Sequence, residues 1–263
     1  MDTTTRQRRA DVAFKSLTAA CALVVILVMG GILVELVRNS GMSIREFGFG
    51  FLTSDEWNPY AGEFGAASSI LGTLVSTAIA MLLAVPLSLI IAIYLVEVAR
   101  PRASRIIGGG IELLAAVPSI IYGMWGLFVF AALMQDHVQP WLGRWLGFLP
   151  LFQGPPMGIG MLTAGLILTL MVLPFITAVT RDVLQMVPPV LKESAHGMGA
   201  TMWEATRHIA LKYGRRGIVG AVFLGFGRAL GETMAVTFVI GNSHRISASL
   251  FDAGNTIASS LAN

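Results

Sequence analysis

Long apolar runs separated by short polar stretches organise the chain. Leu17 to Val37 is apolar over about one bilayer thickness, for which roughly 20 residues suffice, with Glu35 near its far end. Ala66 to Val96 exceeds one straight span and predicts tilt or a break near Pro86. Ile106 to Met134, Met157 to Thr180 and Ile218 to Gly241 predict three more spans, with Pro118 and Pro174 as kink points. The segment from Asn242 to Asn263 is too polar to cross a bilayer. The pattern predicts an all-α, polytopic membrane protein with five spans. Its organisation reads as a tail over 1–16, a first transmembrane helix over 17–38, an external loop over 39–65 and a core over 66–263. That core contains a polar loop over 181–216 and an external terminal segment over 242–263.

The polar stretches differ in character. Asn39 to Gly65 mixes acidic Glu46, Asp55, Glu56 and Glu63 with Phe47, Phe49, Phe51 and Trp57, which fits a segment lying against a membrane surface. Gln135 to Pro156, with Trp141, Trp145, Pro150 and Phe152, predicts an interfacial hairpin. Pro188 to Arg216 is a polar island between two apolar runs. Pro188 and Pro189 suit the first turn of a short helix that ends near His196, because Gly197 and Gly199 supply the backbone of a tight turn. A second helix begins at Thr201, with Glu204 placed to complete a capping box.

Composition agrees with the pattern: 55% of residues are hydrophobic and 13% charged, with mean hydropathy +0.73, which excludes an ordinary soluble domain. Cys21 stands alone within the first apolar run, and His137, His196, His208 and His244 lack ligand spacing, so neither a disulfide framework nor a metal site is expected. The net charge of +3 matters less than its distribution. Of 18 basic residues, 13 fall in the tail, the turn around Arg100, Arg102 and Arg105, and the central loop; Arg38, Arg45, Arg144 and Arg245 occupy the alternate loops. By the positive-inside rule the first group, including the N-terminus, faces the cytoplasm. These charges flank membrane lipid without interleaved aromatics, which argues against nucleic acid. The first run is too long, and too poor in a small-residue cleavage site, for a removed signal peptide.

Several polar residues fall inside the apolar runs. Ser69, Thr73, Ser76 and Thr77 share one helix face, either as packing hydroxyls or as the lining of a path for a polar solute. Glu112 lies close enough to a span end to serve as a structural partner. Arg228 and Glu232 stand four apart, within pairing distance on one helix, and Gly227 and Gly231 form a small-residue pattern for close packing. A mid-membrane arginine costs about 2.5–3.5 kcal/mol, so a partner or a water-filled cavity must compensate. Structural pairing and oxyanion binding both satisfy that demand.

The central loop resembles the "EAA" loop of ABC importer permeases: Glu193-Ser194-Ala195, Gly199 at the seventh place, then Ile209-Ala210-Leu211-Lys212, with Ser194 for Ala and Lys212 for Pro. Trp57-Asn58-Pro59 with Gly62-Glu63-Phe64-Gly65, the run Pro118 to Leu127, and Gly227 to Thr233 are similar to the phosphate-specific members. The resemblance implies a type I (MetI-like) permease fold and a sixth helix after Asn263, so the chain reads as truncated. It implies that Glu193, Ser194, Ala195 and Gly199 dock on a separate ATPase and that Arg228 and Glu232 attend anion passage, with Ser69, Thr73 and Thr77 as further candidates for the path. It further implies a homologous permease subunit, a cytoplasmic ATPase dimer that binds ATP and Mg, and an extracytoplasmic phosphate-binding protein. No G-x-x-x-x-G-K-[ST] occurs, so no cofactor is expected on this chain and no enzymatic activity of its own. Alternatives are another oxyanion such as molybdate or sulfate, an intramembrane enzyme using Glu112, Glu232 or His208, or a sensor scaffold.

Overall fold

The computed structural model describes residues 3–263, with side chains from Asp11 onward; the side chains of Arg6, Arg8 and Arg9 in the basic tail therefore lie outside the description. The chain divides into two units, 1–51 and 52–263. In the first, helix α1 (Thr3–Asn39) is continuous, so from Thr3 onward the tail expected over 1–16 joins the span without a break. No Gly or Pro precedes Gly30, and Ala, Arg and Gln are good helix formers. A short helix over Gly41–Phe47 comes next.

The second unit opens with a two-residue hairpin, β1 (Trp57–Asn58) and β2 (Glu63–Phe64), which pairs Trp57 with Phe64. Asn58 Oδ1 accepts from the N–H groups of Tyr60 and Ala61, which closes the turn. Helix α2 (Ala67–Ile93) passes through Pro86 and ends in a π turn over Tyr94–Val98.

The third predicted span is different. Helix α3 (Pro101–Ala115) stops before Pro118, and a new helical run starts at α4 (Ser119–Trp125) and continues to Leu146. Pro118 lacks an N–H and disfavours helical backbone at Val117, so the expected kink becomes a complete break. The interfacial hairpin expected at 135–156 is correspondingly helical as far as Leu146, and only its later part is loop.

Helix α5 (Met161–Gln185) is the buried centre of this unit, where Ile167, Leu168, Met171, Val172 and Ile176 pack against α2 and α8 (Leu211–Leu230). Among the described residues, four helical stretches are long and apolar enough to cross a membrane by length and composition: Asp11–Asn39, Ala67–Val98, Ser119–Leu146 and Met161–Gln185. The fifth predicted span is not one helix. It forms as α8 and, after a break at 231–233, α9 (Met234–Val239).

The terminal segment after Ile240 folds back onto the unit. Its backbone bonds α5 through Met161 N–H to the Asp252 carbonyl (3.2 Å) and Leu162 N–H to the Leu250 carbonyl (2.9 Å), and Phe251 is buried with Met134 and Leu162. It ends in α10 (Ile257–Ala262), capped by Thr256. At Gly72 the α2 backbone approaches this segment so closely that a Cβ would stand 1.8 Å from the Asn255 carbonyl oxygen. Neither backbone can yield cheaply, so Gly72→Ala is expected to cost about 1–3 kcal/mol, as overpacking does elsewhere. A lower thermal midpoint, with faster proteolysis between Asn242 and Asn263, measures it.

Candidate functional site

The central loop forms a bent element, here called the elbow. Helix α6 (Pro189–Gly197) begins with Pro189 in its first turn, where a missing N–H leaves nothing unpaired, and ends as expected. Gly199 lies just beyond it with φ +88°, the left-handed backbone that glycine adopts without penalty. The Ala195 carbonyl accepts from both Met198 and Ala200 N–H at 3.1 and 3.0 Å. Helix α7 (Met202–Ala205) then starts with the predicted capping box: Thr201 Oγ1 accepts from Glu204 N–H, and Glu204 Oε2 accepts from Thr201 N–H at 2.8 Å. Those bonds hold the exposed Glu204 carboxyl below the usual glutamate range. The cap is thus fully present above that range and is lost as pH falls through the lowered value.

Of the residues assigned to ATPase contact, Glu193, Ser194 and Gly199 are exposed, whereas Ala195 is buried under the bend. Ser194 Oγ donates to the Val190 carbonyl at 2.7 Å. Lys212, which stands where the family pattern has proline, leaves the helix unbroken: α7 runs through a π turn at Thr206–Ala210 directly into α8. The elbow is therefore continuous in backbone with the helix that carries Arg228.

Arg228 occupies the last turn of α8. Its Cζ lies 5.6 Å from the centre of the Phe175 ring, and its Nε is buried without a hydrogen-bond partner. The expected pairing with Glu232 does not form among the described residues, because α8 ends at Leu230 with Gly231 as its cap, before the next turn can bring Glu232 beneath Arg228. Glu232 Oε1 instead accepts from Ala235 N–H at 3.2 Å and caps α9. A partly buried guanidinium with an unused donor can take an oxyanion.

The small-residue pattern also shifts. A Cβ at Gly227 would meet open space, while one at Gly225 would press on Ile176 at 2.6 Å, so the close face of α8 is carried by Ala221, Gly225 and Ala229.

The hydroxyl face of α2 is buried within the unit. Ser69 Oγ lies 2.9 Å from Ser260 Oγ, and Thr73 Oγ1 accepts from Ile257 N–H at 3.0 Å while donating to the Ser69 carbonyl. Ser76 bonds its own helix, and the Thr77 hydroxyl is buried without a partner. The structure thus brings Ser69 and Thr73 to the terminal segment and leaves Thr77 with an unspent hydroxyl.

The same segment carries His244, whose ring stacks on Trp57 with centroids 4.2 Å apart and whose Nε2 lies 2.7 Å from Asn255 Nδ2. Burial pushes the His244 imidazole below its usual value. Glu112 is a structural partner as expected: its Oε1 accepts from Arg181 Nη1 at 2.9 Å. Sequence reasoning missed Glu97, whose Oε1 accepts from Lys192 Nζ at 2.6 Å and so ties the end of α2 to the elbow. A lone acid just before the basic turn at Arg100 was the available signal; its partner, 95 positions away, was not.

Residues 66–262 match the family of binding-protein-dependent transport system inner membrane components, and the chain belongs to that family. It is of the PstC type. It is 52% identical over 257 residues to the phosphate transport system permease protein PstC of Mesorhizobium japonicum, covering 96% of this chain and 79% of that one. The PstC of Haemophilus influenzae is 52% identical over 254 residues, with 95% and 81% covered. A probable PstC of Methanocaldococcus jannaschii is 37% identical over 255 residues, with 95% and 81% covered.

Proposed function

We propose that this chain is the membrane permease subunit of an ATP-driven phosphate importer. It sits in the cytoplasmic (inner) membrane with its N-terminus on the cytoplasmic side, contributes the anion path and takes its energy from a separate ATPase. The observation that carries the phosphate path is Arg228, a guanidinium with a buried, unused donor at the break between α8 and α9. Glu232, turned away to cap α9, leaves that donor free for the cargo. Thr77 offers the unpaired hydroxyl of the α2 face, while Ser69 and Thr73 hold the terminal segment in place. An anion held by one arginine and a single weak hydroxyl donor is bound well enough to enter and loosely enough to leave.

In this reading Glu193, Ser194 and Gly199 present the elbow to a cytoplasmic ATPase dimer, with Ala195 buried beneath them as its packing anchor. ATP and Mg bind that dimer, since this chain has no phosphate-cradling G-x-x-x-x-G-K-[ST]. A homologous permease subunit completes the path, and an extracytoplasmic phosphate-binding protein delivers the anion to the opposite face. The test is radiolabelled phosphate uptake into vesicles holding the complete partner set. Uptake that requires ATP and is competed by unlabelled phosphate is the expected result. Uptake of molybdate or sulfate in place of phosphate, or turnover without the ATPase, overturns the assignment.

A further inference from the structure

The elbow is joined by backbone to α5 on one side and to α8 on the other, but α2 reaches it only through contacts between side chains. Those contacts form a compact joint. Ala92 of α2, Leu184 and Val187 at the end of α5, and Ala210 before α8 are buried together. A purely apolar joint of this kind can slide, because burial has no preferred direction.

One polar contact gives the joint a register. The π turn at the end of α2, closed by Ala99 N–H to the Tyr94 carbonyl at 2.8 Å, inserts an extra residue and so rotates the next residues by about 100° from where an α-helix would place them. Glu97 lies in that turn, and its Oε1 accepts from Lys192 Nζ, on α6, at 2.6 Å. The Glu97 side chain is 11% exposed and that of Lys192 21%. A shielded pair of this geometry resists separation, since either partner alone would be left as an unpaired, partly desolvated charge.

The other half of the elbow is not held in this way. Between α2 and α7 lies an open cleft of about 270 Å³, lined by Ile90, Tyr94, Glu97, Val98, Met202 and Trp203. α7 has room to tilt there, whereas α6 is pinned.

We infer that Glu97 and Lys192 form a strut that carries displacement of α6 to α2, so that α2 moves together with α8 when the elbow is pushed. Glu97 is then a positioning residue for transport, and it touches neither cargo nor nucleotide. The inference rests on the reading that the elbow receives the stroke of an ATPase.

The experiment uses the assembled transporter in vesicles and reads phosphate uptake per ATP hydrolysed, together with the ATPase retained on the purified complex. ATP-driven phosphate uptake by the native complex first secures the functional reading, and its absence would count against that reading alone. Glu97→Gln and Lys192→Met are each expected to lower uptake per ATP by about tenfold, within the usual range of coupling energies, while hydrolysis continues. The exchanged pair, Glu97→Lys with Lys192→Glu, is expected to recover most of the ratio. A third variant covers the case in which the single changes fail to assemble. Glu97→Cys and Lys192→Cys, in a Cys21→Ser background, are bridged by a short bifunctional thiol reagent after assembly, and the bridged complex is expected to transport. Unchanged uptake per ATP in both single variants overturns the strut. So does loss of uptake on bridging, which would mean that the two ends must part.

Discussion

Arg228→Gln is expected to leave the transporter assembled and to cut ATP-driven phosphate uptake roughly ten- to a hundredfold, the factor carried by one charge-assisted hydrogen bond of about 1.5–3 kcal/mol. The replacement keeps a side-chain amide able to donate and removes the positive charge. Packing on Phe175 accounts for only part of the native environment, since it leaves Nε buried and unpartnered. If Arg228 served packing alone, loss of uptake would run in parallel with loss of assembled complex and of thermal stability. Arg228→Lys separates charge from geometry. It keeps the cation but not the planar fork, so intermediate uptake is expected. Measuring uptake beside the yield of co-purified ATPase distinguishes these cases. Native uptake in the glutamine variant would remove Arg228 from the path.

Gly199→Val is expected to cost the elbow about 1–3 kcal/mol and to detach or uncouple the ATPase. Open space surrounds the position a Cβ would occupy, so crowding is not the cause. The cause is φ +88°, a conformation that a β-branched residue adopts only under strain. To relieve it, the turn must open and lose the Ala195 carbonyl's bonds to Met198 and Ala200, which set the angle between α6 and α7. Gly197→Ala is the internal control. Gly197 also has open space around it, but it is the last residue of α6 and has no positive φ, so the change is expected to be nearly silent. The readouts are ATPase retained on the purified complex and phosphate taken up per ATP. Equal behaviour of the two variants would show that the bend does not matter to coupling.

Features that depend on near neighbours are legible in the chain without its fold. Pro189 and the Thr201–Glu204 box place the elbow helices because each cap is a contact between residues a few positions apart. The apolar runs mark helices because chain in hydrocarbon must satisfy its own backbone bonds locally. Where local signals compete, the pattern misleads. Pro118 reads as a kink in a helix that it in fact ends, and Gly231 breaks the helix on which the spacing of Arg228 and Glu232 predicts a pair.

Contacts between distant parts of the chain arise from packing. Glu112 meets Arg181 across 69 positions, Glu97 meets Lys192 across 95, and the hydroxyls of α2 meet the terminal segment across more than 180. Each of these residues has ordinary neighbours in sequence. Its partner is fixed by how α3 packs on α5, and α2 on the elbow and the terminal segment, and no local pattern in the chain encodes which residues that packing brings together.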